Sequence, residues 1–487
     1  MRKSIVCLIL VMVLMLTSLG TVVLADQPDK AYTYDENQAV PSTNPYQVKL
    51  IVNETVMGTT RMNDPRDVFV DKQDRIFILD SGNGRVLILD DQYHCIQELK
   101  DFTYNGEAVT LAPGAQGLFF RDANQLLYIA DTENDRIIVS DLNGAVKNIY
   151  TKPVGELLDP AIPYRPQKIV VDNMGIMYVK SGNINTGALL VDSNNSFLGF
   201  FGTNEIKQTA EVLAEYLWRS ILNKEQNAQS SMSFQPVEFN NLFWSEDRFV
   251  YAVSPVNEQV KATVVKLNAL GKNVFEQDID FYQYEVNRNE FGFQLADITV
   301  DDEGVVTVLE MQSGSLFQYD EACNLLAIFG GIGNQDGLFT LPSALESDSK
   351  NNLLVLDATK CTLTVLEQTY YGEMIRSANN LYNQGRHQES IELWMEVIRM
   401  NSNYTQAYTG LGKAYMSLGE YEAAKEYFKI GKDKDGYSDA EAKIRDGVIR
   451  DNFAILAAVI VVFMICFLGS DQLKRLTYKI SDLFRRK

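Results

Sequence analysis

The feature that most constrains this 487-residue chain is an internal repeat of strand-sized units. Residues 65–90 read Pro-Arg-Asp-Val-Phe-Val-Asp, then Arg75-Ile-Phe-Ile-Leu-Asp80, then Ser-Gly-Asn83-Gly-Arg85-Val-Leu-Ile-Leu-Asp90, three short aliphatic strands separated by turn residues. The unit returns at 117–139, at 167–180, in degenerate form at 238–267 around Phe249 to Val253, at 297–310 and at 343–357. The residue closing the second strand falls at 80, 131, 180, 254, 310 and 357, about 50 residues apart except between 180 and 254. A sheet that buries both faces only against copies of itself must close into a ring, so six copies predict an all-β six-bladed propeller over residues 46–368. The strand-like segment Tyr46 to Val52 precedes the first copy and is placed to complete the last blade.

Two copies carry a sharper signature, Asp80-x-x-Asn83-x-Arg85 and Asp131-x-x-Asn134-x-Arg136. Asp is expected to cap a turn through backbone N–H groups, Asn to accept the left-handed conformation, and Arg to reach the Asp. These six residues are therefore structural first. The signature after an aliphatic strand resembles NHL repeats, strongly in the first two blades and weakly in the fourth. Glu310 in place of Asp, and Cys361-Thr362 in place of Gly-Arg, depart from that pattern.

In a propeller the starts of the innermost strands line the central channel. Aligning the copies puts Arg66, Gln116, Gln167 and Ser343 in one column and Asp67, Lys168, Asn240 and Asp297 in the next. These eight residues are candidates for a polar binding rim; the plain alternative is a set of solvated loop-edge side chains. Between the third and fourth copies, Ile206, Ala210, Leu213, Leu217 and Ile221 recur at helical spacing, which predicts a helical insertion over 204–233. It reads as an elaborate loop, or as a lid or docking helix on one propeller face.

From Tyr371 the pattern turns helical. Gly385 and Gly419, Trp394 and Phe428, Leu381 and Tyr415, Ala378 and Gly412, and Ser390 and Ala424 are pairs 34 residues apart. This period, with small residues and aromatics at fixed places, resembles two tetratricopeptide repeats over 371–438, followed by a capping or juxtamembrane helix over 439–452. Small residues let paired helices approach and aromatics fill the groove between them. The resemblance implies a concave face for peptides or proteins, although two repeats serve equally as a spacer.

The chain ends point to the membrane. Arg2 and Lys3, the apolar run from Ile5 to Leu16 and Val23-Leu24-Ala25 make a signal peptide over 1–25, an uncleaved anchor being the alternative. Residues 26–45 then read as a linker. Phe453 to Gly469 is apolar without a charge and predicts one transmembrane helix, the alternative being a buried core helix. The following tail (470–487) is basic, which places it in the cytoplasm and everything before Asn452 outside. The net charge is −20, and the remainder between signal and tail carries −26. Such acidity disfavours nucleic acid as a partner. With Cys7 in the signal and Cys466 in the apolar segment, Cys95, Cys323 and Cys361 are too few for a disulfide framework, and Cys323–Cys361 is the conceivable bridge.

Two histidines, His94 and His387, disfavour a multi-histidine metal site and a Ser-His-Asp triad. No catalytic residues are assigned, no cofactor is called for, and a divalent cation in the channel is left open. The leading expectation is a non-enzymatic binding or scaffold protein of the cell membrane, with a protein or glycan partner outside. Its rival is a metal-dependent hydrolase of the gluconolactonase type, which needs carboxylate and amide ligands alone. A pure spacer is the third possibility.

Overall fold

A computed structural model describes residues 31–35, 38–155, 158, 160–202, 238–255, 263–275, 277–279, 281 and 293–485. The expected signal, the insertion over 204–233 and the last two residues lie outside the described residues. The chain divides into two compact units, Met1–Glu373 and Met374–Lys487.

The first unit is a six-bladed propeller. Its inner strands begin blades one to six at Pro65–Val70, Gly117–Arg121, Pro166–Val171, Asn241–Trp244, Leu295–Val300 and Pro342–Ser347. Each is followed by antiparallel neighbours in chain order, three of them in blades one, two, three and five and two in blade six and, among the described residues, in blade four. The apolar repeat explains the stack. Second strands such as Ile76–Asp80 and Leu353–Asp357 are buried at every position, because both faces of a blade meet a neighbouring blade.

Tyr46–Val52 closes the ring as expected, pairing antiparallel with Thr362–Gln368 as the outer strand of blade six. The expected linker before it is partly structured instead. Tyr32–Asp35 and Gln38–Pro41 form a hairpin that joins blade five at Tyr32 opposite Ile328. Tyr46 then stacks on Phe329 at 4.8 Å, and its hydroxyl accepts from the side-chain amides of Gln318 and Gln368. The segment before the first repeat thus ties blades five and six together. Cys95, Cys323 and Cys361 are all free thiols, so the conceivable Cys323–Cys361 bridge is absent.

The helical region runs through α1 (Tyr370–Asn383), α2 (His387–Met400), α3 (Thr405–Leu418), α4 (Tyr421–Ile430), α5 (Lys434–Asp451) and α6 (Phe453–Arg485). Gly385 and Gly419 turn the α1–α2 and α3–α4 pairs at φ 77° and 81°, a conformation that needs glycine. A Cβ on Gly412 would lie 2.5 Å from the Phe428 ring, and one on Gly410 would lie 2.6 Å from Trp394. The small and aromatic positions of the 34-residue period are therefore contact points between helices. Among the described residues no single helix is long and apolar enough to cross a membrane; α5 and Phe453–Phe467, bent by 67°, have the length and composition together.

Candidate functional site

The signature residues do the structural work expected of them, with two changes. Arg85 Nε donates to Asp80 Oδ2 at 2.6 Å and Asn83 Nδ2 to the same oxygen at 2.8 Å. Arg136 and Asn134 repeat this on Asp131 Oδ2, at 2.8 and 2.9 Å. The other carboxylate oxygen does not cap the local turn. It accepts a backbone N–H from the loop entering the blade, Asn63 for Asp80 and Ala112 for Asp131. Glu310 takes the Gln294 amide and Asp357 the Thr340 amide in the same way, and in blade three Ser181, one residue past the expected marker, takes that of Arg165. The left-handed residue is not Asn but its successor. Gly84, Asp135, Gly314 and Cys361 sit there at φ 61°, 51°, 65° and 56°. Cys361 thus fills a backbone role that explains how the last blade keeps its turn without the Gly-Arg pair.

The channel-rim candidates lie at the starts of the inner strands, and one was placed a residue out of register. Pairing aligns Asp67, Gly117, Lys168, Asn241, Asp297 and Ala344, so Asn241, not Asn240, belongs with Asp67. Asn240 instead falls in line with Arg66, Gln116, Gln167 and Ser343, and its side chain donates to Leu295 O at 2.7 Å. Blade four starts without the proline of blades one, three and six, so the sequence offers no anchor for its register.

These side chains join blade to blade. Asp67 Oδ2 accepts the Leu118 amide of blade two at 2.7 Å, and Asp297 Oδ2 the Leu345 amide of blade six at 2.8 Å. Asn241 donates to Ala296 O of blade five, and Ser343 Oγ to Pro65 O of blade one at 3.0 Å. Gly117 is forced by proximity, since a Cβ there would meet Gln167 O at 2.3 Å. Lys168 Nζ crosses from blade three to Asp67, at 2.8 and 3.0 Å from its two oxygens. Burial alone would favour the neutral amine, but Asp67, Asp297 and Glu346 outweigh it and raise the Lys168 pKa above the usual lysine value. Burial dominates at Asp297 and lifts its carboxyl to about 6 despite Lys168. Arg66 pairs outward with Asp64, Gln167 accepts from Lys180, and Gln116 is half-buried.

A metal-dependent reaction in this channel would need free oxygen ligands. Both Asp67 oxygens face Lys168 and also accept backbone amides, both Asp297 oxygens accept amides, and the Asn241 oxygen takes Leu242 N–H. An ammonium already occupies the position a dication would claim, so the donor set does not fit one. Among the described residues no group of three His, Cys, Asp or Glu side chains could hold a metal ion.

The opposite end of the channel is different, and the sequence reading missed it. The ends of the inner strands and the turns after them enclose a cavity of about 470 Å³, lined by ten carboxylate side chains, one lysine and the aromatics Phe69, Phe243, Trp244 and Tyr251. Several of these acids are turn formers. Asp71, Asp301 and Asp348 each accept two backbone N–H groups of their own hairpin through Oδ1. Asp74 holds Ser349, Asp247 pairs with Lys266, and Lys72 pairs with Glu246 at 2.9 Å. Asp302 and Glu321 take no hydrogen bond or ion pair among the described residues.

Glu346 forms the inner limit of this vestibule and is 7% exposed. Thr299 Oγ1 and the Ser347 amide both donate to its Oε1, at 2.7 and 3.0 Å, and Oε2 accepts from no described residue. Burial pushes its carboxyl up to about 8. Asp122, with one oxygen buried and unpaired, is also raised, by burial and then by the like charge of Asp71. Even with Glu346 protonated at neutral pH, the other nine carboxyl groups of the vestibule outnumber its one lysine.

Fold and site together define a six-bladed propeller with a self-filled channel and one open, acidic end, followed by paired helices. A tetratricopeptide-repeat model matches residues 405–429, which are α3 and most of α4. No curated protein matches the chain. Among solved structures it is similar to virginiamycin B lyase from Staphylococcus aureus at 10% identity, covering 64% of this chain and 80% of that one with a TM-score of 0.36. A protein of unknown function from Bacteroides thetaiotaomicron gives 12%, 69%, 90% and 0.42, and the WD40 propeller domain of Doa1 gives 11%, 68%, 99% and 0.38. The blade count rests on the strand pairing itself, not on these distant likenesses.

Proposed function

We propose that this chain is a membrane-anchored, extracytoplasmic binding platform of the NHL-propeller type, engaging a protein or glycan partner through its propeller and helical repeats. The carrying observation is the contrast within the channel. The end where the sequence suggested a rim is filled by its own bonded side chains, while the vestibule keeps carboxylates without partners. The signal-like 1–25, the apolar 453–469 and the basic tail support an outward-facing ectodomain held by one C-terminal helix. The tetratricopeptide match supports a second, protein-binding surface.

A lactonase-type reaction is the less favoured reading because its metal ligands would have to displace Lys168 from Asp67. The test is affinity capture from native membranes with the full chain and with a vestibule-neutralised variant (Asp302→Asn, Glu321→Gln, Glu346→Gln). A specific envelope protein or glycan, enriched by the wild type and lost with the variant, is expected. Equal recovery by both, or metal-dependent lactone turnover, overturns the reading. Protease accessibility of the propeller in intact cells checks the orientation.

A further inference from the structure

We propose that the vestibule is a receptor for an alkylammonium group, seated between Glu346 Oε2 and the aromatic wall of Phe69, Phe243 and Trp244. This rests on the binding-platform reading and specifies the chemistry of that same site.

Three observations lead there independently of the count of acids. First, the cavity of about 470 Å³ has the size of a small-ligand site, and five of the six blades contribute its walls. Second, Glu346 is oriented but unsatisfied. Thr299 and Ser347 hold one carboxylate oxygen in place, and the other, on a side chain only 7% exposed, has no donor among the described residues. Burial holds this carboxyl protonated at neutral pH, and a donor-rich cation arriving from the cavity would favour its ionised form and bond to the open oxygen. Third, Phe69, Phe243 and Trp244 line the same cavity, and aromatic rings attract an organic cation. Blade four already shows this chemistry at Tyr251, which lines the cavity: Lys266 Nζ lies 5.3 Å from its ring centre and 4.5 Å from that of Phe249.

A compact dication is the wrong guest. No three carboxylates among the described residues converge closely enough to chelate one, and the unpaired oxygens of Glu346, Asp302 and Glu321 come from three separate segments. Dispersed charges match an elongated cation whose amines are separated by methylenes. A free polyamine and the lysine side chains of a partner peptide both present this group, and the test tells them apart.

Spermidine and an unstructured lysine-bearing peptide of equal charge are titrated calorimetrically into the purified full-length chain at fixed ionic strength, with magnesium as control. Saturable binding of one of the two, absent with magnesium, is expected. It should weaken at least tenfold in Glu346→Gln and in Asp302→Lys, the second a change at an exposed turn residue that leaves the fold intact. Tighter spermidine binding identifies a free polyamine as the ligand; tighter peptide binding identifies a partner's lysine. No binding of either, binding indifferent to both substitutions, or equal binding of magnesium overturns the proposal. If partner capture still depends on the vestibule while neither cation binds, the platform reading stands and the alkylammonium assignment falls.

Discussion

The two ends of the propeller channel use the same residue types for opposite purposes. At the start-of-strand end, Asp67, Asp297 and Asn241 each bond to a neighbouring blade, and Lys168 crosses to Asp67. At the other end Asp302, Glu321 and Glu346 Oε2 face open volume. The second end is the more acidic, but partnering separates the two most sharply. A carboxylate whose lone pairs are used by backbone amides is part of the ring's construction, and one left open at a cavity is available to a ligand.

That contrast is sharpest at Lys168. Lys168→Met removes the cation between Asp67 and Asp297 and leaves buried carboxylates uncompensated, which should cost about 3–5 kcal/mol of stability, read as a lower denaturation midpoint. Asp297→Ala strands the Leu345 and Ile298 amides and should cost about 1–3 kcal/mol, by the same measurement. Cation binding should survive in whatever fraction of each variant stays folded.

At the vestibule end the effects should fall on binding and on pH. The Glu346 carboxyl titrates at about 8 in the fold against an ordinary 4.5, so the folded state holds its proton over that interval. Its contribution to stability is complete below about pH 4.5 and is lost as pH rises through about 8, with a slope of at most about 1.4 kcal/mol per unit. Glu346→Gln should remove that slope in a pH series of melting temperatures. The smallest stability effect belongs to Asp302→Lys, within about 0.5 kcal/mol of the wild type as for other exposed positions. A large destabilisation there would erase the distinction between the two ends.

The ring was legible in the sequence because each blade repeats its aliphatic strands and its closing Asp, and Tyr46–Val52 was legible as the closing strand from its place alone. The fourth blade shows where that legibility ends. With no proline or aspartate at its start, Asn240 and Asn241 are interchangeable by eye, and only the pairing of Asn241 with Val253 decides. The hairpin at 32–41 carries no repeat to align, so nothing local marks its attachment to blade five. The vestibule was missed for a different reason. Asp71, Asp301 and Asp348 read singly as turn residues, which they are, and their convergence requires the ring to be closed. Aligning the copies a few residues further, at the ends of the inner strands, would have shown an acidic column.

Hydrogen–deuterium exchange on the full chain, with and without the cation that binds, tests the division of the channel most directly. Ligand should slow exchange in the segments at 71–75, 301–305 and 347–352, while the amides of Leu118 and Leu345, already bonded to Asp67 and Asp297, stay equally protected in both states. Protection changing at Leu118 and Leu345 and not at the vestibule turns would place the binding site at the opposite end and contradict the assignment.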